Sequence, residues 1–176
     1  MITRVLRRAF LIVAGSVGLA AFSATDALAD VNVANHSRPF DIVFPAGQVC
    51  AGFGLGVWVD GDHQRVFREF KDADGNVVRT LSAGRGFDLT FANVATKDTL
   101  SLRGNGSVQK TTFNSDGSTT LDMTGHTVIF LYPTDITAGP STTLYVGRVV
   151  MTNTKDAESE IVSSSGTELD ICAALA

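Results

Sequence analysis

The 176-residue chain has little of what marks several common functional classes. Charged residues make up 18% of the chain, and only four of them are lysines. An acidic chain this poor in lysine is badly suited to nucleic acid or an anionic membrane, because both carry dense negative charge. A calcium loop is also missing, since Asp72-Ala73-Asp74-Gly75 has its glycine at the fourth position instead of the sixth. We therefore expect no nucleic-acid partner, no metal and no cofactor.

Catalytic motifs are equally scarce. The nucleophile elbow G-x-S-x-G does not occur, and the two cysteines form no C-x-x-C pair. Asp60-Gly61-Asp62-His63 groups two carboxylates with an imidazole, but Asp and Gly also favour turns for backbone reasons. We predict no catalytic residue, and we keep as an alternative an extracellular hydrolase or cyclase with its site inside a β-barrel.

The first 29 residues have the pattern of a secretory signal. Three arginines precede an apolar run over 9–22, and Ala27-Leu28-Ala29 places small residues where a signal peptidase cleaves. We predict a helical signal peptide over 1–29 and a single domain over 30–176. Cleavage would remove three arginines and one aspartate, so the formal charge would go from −4 to −6. The apolar run is too short to span a membrane, so we expect a soluble, secreted extracellular protein with no membrane partner.

The mature chain contains two cysteines, Cys50 and Cys172. Export leads to an oxidising compartment, where paired cysteines usually form a disulfide. We therefore expect a structural Cys50–Cys172 bridge that brings the C-terminal tail beside the first third of the chain, with two free thiols as the alternative.

Turn signals built on Gly, Asn and Asp recur about every ten residues. Between them lie short segments rich in Val, Thr and Phe, which favour β-strands. The segment 87–91 alternates apolar and polar residues, whereas 128–132 is apolar throughout, as in a strand covered on both faces. The predicted strands are 31–35, 39–44, 53–59, 64–70, 76–81, 87–94, 99–103, 107–113, 119–132 with a break near Gly125, 142–152 and 160–172.

These segments predict an all-β fold, a single antiparallel domain of about ten short strands. Such strands must close into a barrel or pack as two sheets, because one open sheet leaves a face unprotected. Consecutive hairpins favour a barrel-like meander, and a two-sheet β-sandwich is the alternative. Gly147 inside an apolar segment indicates a bulge or a close backbone approach. The phenylalanines of the strands are expected to fill the core: Phe53, Phe67, Phe70, Phe87, Phe91, Phe113 and Phe130.

Two residues are candidates for ligand binding. Trp58 is the single tryptophan and lies close to a turn. If exposed, it could stack on a sugar or anchor a protein partner, and if buried it is a core residue. Arg148 lies among apolar residues, where an arginine must be paired or must reach water. It could bind an anion in a barrel mouth, or it could form an ion pair or occupy an outward strand position.

Several turn patterns resemble those of a set of small secreted bacterial proteins. They are Phe44-Pro45-Ala46-Gly47, Arg68-Glu69-Phe70, Asp74-Gly75-Asn76, Asp116-Gly117-Ser118, Thr124-Gly125-His126, Ala138-Gly139-Pro140 and Ile171-Cys172-Ala173. The resemblance implies a shared all-β fold and adds no catalytic residue. With no catalytic motif, we expect a binding or structural module for a small apolar ligand, a glycan or a protein partner.

Overall fold

The computed structural model describes residues 37–176, which are almost entirely β-structure. The elements are β1 (Ile42–Phe44), β2 (Leu55–Asp60), β3 (Gln64–Lys71), β4 (Val77–Arg85), β5 (Asp88–Asn93), β6 (Thr99–Leu102), β7 (Gly106–Phe113), β8 (Thr119–Leu131), β9 (Ser141–Asn153), β10 (Ser159–Asp170) and a short helix α1 (Ile171–Ala174). The all-β prediction is confirmed. The predicted signal peptide over 1–29 and the strand over 31–35 lie outside the described residues. No helix between residues 37 and 176 is long and apolar enough to cross a membrane.

The strands form two antiparallel sheets. The small sheet has the order β1-β2-β5-β6, and the large one has the order β10-β9-β8-β7-β4-β3. Across residues 37–176 the large sheet does not close into a barrel, so the expected barrel-like meander is corrected to the two-sheet alternative. The physical reason is that the β5–β6 hairpin does not belong to the large sheet. In the small sheet, β5 pairs with β2 instead. Because β4 then pairs with β7, consecutive hairpins do not stay in one sheet that could close on itself.

A row of four glycines crosses the large sheet at one level. Gly84 pairs with Ser107, Ser107 with Gly125, Gly125 with Gly147, and Gly147 with Gly166. All four glycines have φ between 97° and 147°. A Cβ atom at any of them would lie 2.0 to 2.3 Å from a carbonyl oxygen of a neighbouring strand. These positions therefore require glycine, both for the dihedral and for the close backbone approach.

The large sheet folds over along this glycine row. The loop 132–140 follows β8, yet its Thr137 hydroxyl accepts a hydrogen bond from the amide of Ile161 at 2.7 Å. Ile161 pairs with Met151, which pairs with Leu121 near the start of β8. A straight strand of this length would hold the two ends of β8 about 40 Å apart, farther than the loop could return. The predicted break near Gly125 is therefore a sharp bend within a continuous strand.

The glycine row divides the large sheet into two halves. The inner half holds residues 126–131, 141–146 and 167–170 of β8, β9 and β10. The outer half holds the other ends of these three strands, which pair onward with β7, β4 and β3. The small sheet packs on one side of the inner half, and the outer half folds over its other side. The result is three stacked layers of β-structure.

Two apolar clusters hold the layers together. In the first, Val57 and Phe91 of the small sheet pack with Leu144 of the inner half. In the second, Met123 and Val149 of the outer half pack with residues such as Ile129 of the inner half. Met123 and Ile129 are six residues apart on one strand, so they can share a cluster only because β8 bends between them.

The phenylalanine prediction is correct in part. Phe91 is fully buried, and Phe53 and Phe130 pack against its cluster. Phe67, Phe87 and Phe113 are exposed, so their assignment to the core is wrong. Phe67 and Phe113 lie on β3 and β7, which do not continue beyond the glycine row into the inner half. These strands therefore have no segment that could fold back and bury the two side chains.

The predicted disulfide is confirmed. Cys50 and Cys172 are bonded, with their Cα atoms 5.6 Å apart. The bridge ties the loop before β2 to α1, beside the buried side chains of Val49 and Ile171. It closes a loop of 122 residues, for which the chain-entropy model gives a stabilisation of about 4 to 5 kcal/mol. The C-terminal tail thus returns to the first third of the domain, as expected.

The glycine row generates a test of the folded sheet. Gly125→Ala should lower the free energy of unfolding by about 3 kcal/mol, because Ala strains the positive φ and meets the Gly106 carbonyl. The matched control is Gly106→Ala, on the neighbouring strand, where an added Cβ meets no atom within 4 Å. Urea unfolding of both variants measures the difference. Equal stabilities would contradict the assigned close approach.

Candidate functional site

The residues between 37 and 176 hold no group of three or more His, Cys, Asp and Glu placed to bind a metal ion. Asp60, Asp62 and His63 lie around the turn between β2 and β3, and the His63 ring contacts Phe87. Ser107 and Lys110 have the S-x-x-K spacing of some serine enzymes. On β7 an offset of three residues points the two side chains to opposite faces of the sheet. The candidates for a functional site are therefore Trp58, Arg148 and the side chains exposed on the two sheets.

Trp58 lies on β2 and is 8% exposed. Its indole N–H donates to the carbonyls of Arg38 and Pro39, both at 3.1 Å, and its ring packs against Phe40. Arg38 bonds Asp41 and Asp60, which fixes this segment across the small sheet. The position favours a packing role over a stacking platform, since both the ring and its polar group are already engaged.

Arg148 lies on β9, in the outer half of the large sheet, and its side chain is 53% exposed. Its guanidinium makes two hydrogen bonds to the carboxylate of Asp122, at 2.9 and 3.0 Å. The ammonium of Lys110 lies 3.5 Å from the same carboxylate. Hydrogen bonding to Arg148 lowers the pKa of Asp122, and it raises the pKa of Arg148. Arg148 thus forms an ion pair and also lies on an outward strand position.

We call the side of the outer half that points away from the other layers the outer face. Strand register defines it in three rows, because directly opposed residues point to the same side. The first row is Phe70, Arg79, Thr112, Thr120, Thr152 and Glu160; the second is Arg68, Leu81, Lys110, Asp122, Val150 and Ser163; the third is Val66, Ala83, Val108, Thr124, Arg148 and Ser165. None of these side chains is buried, so no other described element covers the outer face.

The outer face combines positive charge with exposed aliphatic side chains. Its three rows carry four basic residues and two acids, Asp122 and Glu160, although the whole chain is acidic. Arg148 and Lys110 share Asp122, Arg79 lies over the Phe70 ring at 4.2 Å, and no salt bridge among residues 37–176 involves Arg68. Val66 is 67% exposed, and Val108 is also exposed.

Among the residues of the outer face, Arg148 was a ligand-binding candidate from the sequence, and its neighbours on the face were not. A usable signal was present in β3, where both alternating sets of residues mix apolar and charged side chains. Arg65 and Glu69 flank Phe67 on one side, and Arg68 separates Val66 from Phe70 on the other. A strand with no uniformly apolar side cannot have a buried face, which predicts that Phe67 and Val66 are exposed.

Comparison with models of protein families, with curated proteins and with solved structures found no match to this chain. The function of the protein must therefore be inferred from the surface described above.

The Asp122–Arg148 contact generates a pH prediction. The lowered pKa of Asp122 means that the ion pair stabilises the fold above the ordinary aspartate range, and that this contribution is lost as the pH falls through the folded-state pKa. Arg148→Met should raise the pKa of Asp122 towards its ordinary value, and should change the stability of the fold little because the pair is solvent-screened. Side-chain NMR titration measures the pKa. An unchanged value in the variant would contradict the assigned cause.

Proposed function

We propose that the protein is an exported binding module, and that its outer face docks on a protein surface carrying acidic and aliphatic side chains. The observation that carries the proposal is the outer face itself: a contiguous sheet surface, uncovered by other described elements, with a positive balance on an acidic chain. Export is supported by the signal pattern over 1–29 and by the disulfide between Cys50 and Cys172.

The charges of the outer face favour an acidic partner. Arg68 and Lys110 both lie opposite Leu81 in one register row, and both are exposed. Basic groups on a flat surface speed the encounter with an acidic partner and select against basic ones. Arg148 contributes less attraction, since Asp122 already neutralises it.

The apolar side chains of the outer face favour a protein over the other partners considered. Val66, Leu81 and Val108 offer aliphatic contact area, which suits the apolar centre of a protein interface. A glycan on the outer face would call for an open aromatic ring there, whereas Phe70, the aromatic residue of its rows, is covered by Arg79, and Trp58 packs against Phe40 elsewhere. A small apolar ligand would call for an enclosed cavity, whereas side chains of the two clusters pack between the layers, and the clefts beside Val66 and beside Phe53 are open to solvent.

Selection from a random-peptide phage library tests this proposal, because it requires no candidate partner. The mature chain from Asp30 should enrich peptides that combine Asp or Glu with Val, Ile or Leu. Arg68→Glu/Lys110→Glu should weaken binding of those peptides by about tenfold, since each exposed charge pair contributes up to about 1 kcal/mol. Lys155→Glu, on the β9–β10 turn away from the outer face, is the control and should bind like the parent chain.

Two results would contradict the proposal. One is a set of enriched peptides without acidic residues, or no enrichment at all. The other is equal binding by the parent chain and the double charge reversal. Binding of heparin by a chain that selects no acidic peptide would assign the face to an anionic glycan instead, and would also overturn the proposal.

A further inference from the structure

The four outer edges of the two sheets differ in how they are protected. Exposed strand edges offer unpaired N–H and C=O groups to other chains, and proteins usually shorten, bend or cover them. β1 and β6 are three and four residues long. β10 has a bulge between Ile161 and Ser163, and the amides of Ser159 and Ile161 bond to the loop 132–140.

The edge strand β3 is not shortened, bent or covered, and its protection rests on its charged side chains alone. It is eight residues long and keeps a regular register from Gln64 to Phe70. Within residues 37–176, no other strand pairs with its outer edge. Val66 and Phe67 lie at its centre, 67% and 61% exposed. A long, regular edge with exposed apolar side chains on both faces is a typical site for strand addition.

The order of charges along β3 makes this edge complementary to itself. Arg65 and Glu69 lie two positions before and two positions after Phe67, on the same face of the strand. If two copies pair antiparallel about a two-fold axis at Phe67, Phe67 faces Phe67 of the second copy. Arg65 of each copy then faces Glu69 of the other. Opposite charges and aromatic pairs at directly opposed positions stabilise a sheet.

Neighbouring registers are less favourable. An axis at Arg68 would place two arginines opposite each other, and an axis at Glu69 would oppose two glutamates. An axis at Val66 would place Arg65 against Phe67 and lose both ion pairs. Among these four registers, charge therefore favours the one centred on Phe67.

The Arg65 side chain is engaged by its own sheet. Its guanidinium is half-buried and donates to the Ser82 and Ser107 hydroxyls and to the carbonyls of Ser82 and Gly84. These four bonds leave one of its five N–H donors available. No salt bridge among residues 37–176 involves Arg65 or Glu69. The four hydrogen bonds hold the guanidinium over β4 and β7, so a salt bridge to Glu69 of a second copy requires Arg65 to release Ser107 and turn towards the outer edge of β3.

We propose that two copies of the chain associate through antiparallel pairing of their β3 edges, with Phe67 on the two-fold axis. The two large sheets then continue into one another, and their outer faces lie side by side. The inference does not depend on the proposed function, because it rests on the edge and on the opposite face of β3.

Sedimentation velocity over a range of protein concentrations tests the association. The parent chain should shift from monomer to dimer, at micromolar or higher concentration, since one strand pair is a small interface. Phe67→Lys should abolish the shift by placing two lysines together at the axis. Phe113→Lys is the matched control: Phe113 is an exposed phenylalanine on β7, away from the edge, and its replacement should leave dimerisation unchanged.

A crosslink tests the register. In Phe67→Cys, the two new thiols face each other and should form an intermolecular disulfide under mild oxidation, whereas those of Phe113→Cys should not. Glu69→Arg should remove the dimer, because it faces Arg65 of the second copy. A parent chain that stays monomeric near millimolar concentration would overturn the inference. So would a dimer that survives both Phe67→Lys and Glu69→Arg, each checked for folding by circular dichroism.

Discussion

The close approach of neighbouring backbones at the glycine row is the constraint on which the rest of the structure depends. At Gly84, Gly125, Gly147 and Gly166, carbonyl oxygens of adjacent strands occupy the space that a side chain would need. The large sheet can therefore bend sharply along this line and bring its outer half over its inner half. Without the bend, Met123 and Val149 would lose the apolar side chains that bury them.

The bend also explains why one chain has both a well-filled interior and a bare surface. The inner half is covered on both sides, which accounts for the unbroken apolar run from Val128 to Leu131. The outer half is wider, because β3, β4 and β7 belong to it alone. The inward side of the outer half packs on the inner half, and no described layer packs on its outward side. Val66, Arg68 and Lys110 therefore remain available for contacts with another molecule.

Most of the secondary structure could be predicted from local patterns, because turn residues and alternating side chains act over a few positions. The disulfide followed from composition, since two cysteines allow one pairing. The fold of the sheet did not follow in this way. Gly84 and Gly166 are far apart along the chain, and their alignment depends on the register of several strand pairings. The mixed pattern of β3 indicates that Phe67 is exposed, but the position of β3 at the sheet edge depends on long-range pairing.

The folded sheet is tested most directly by NMR contacts between the loop after β8 and the start of β10. A bend at the glycine row predicts nuclear Overhauser effects between Thr137 and Ile161, and slow exchange of the Ile161 amide proton, which bonds the Thr137 hydroxyl. A flat six-stranded sheet would hold these residues at opposite ends of the long strands. Rapid exchange at Ile161 and no contact between the two residues would contradict the bend.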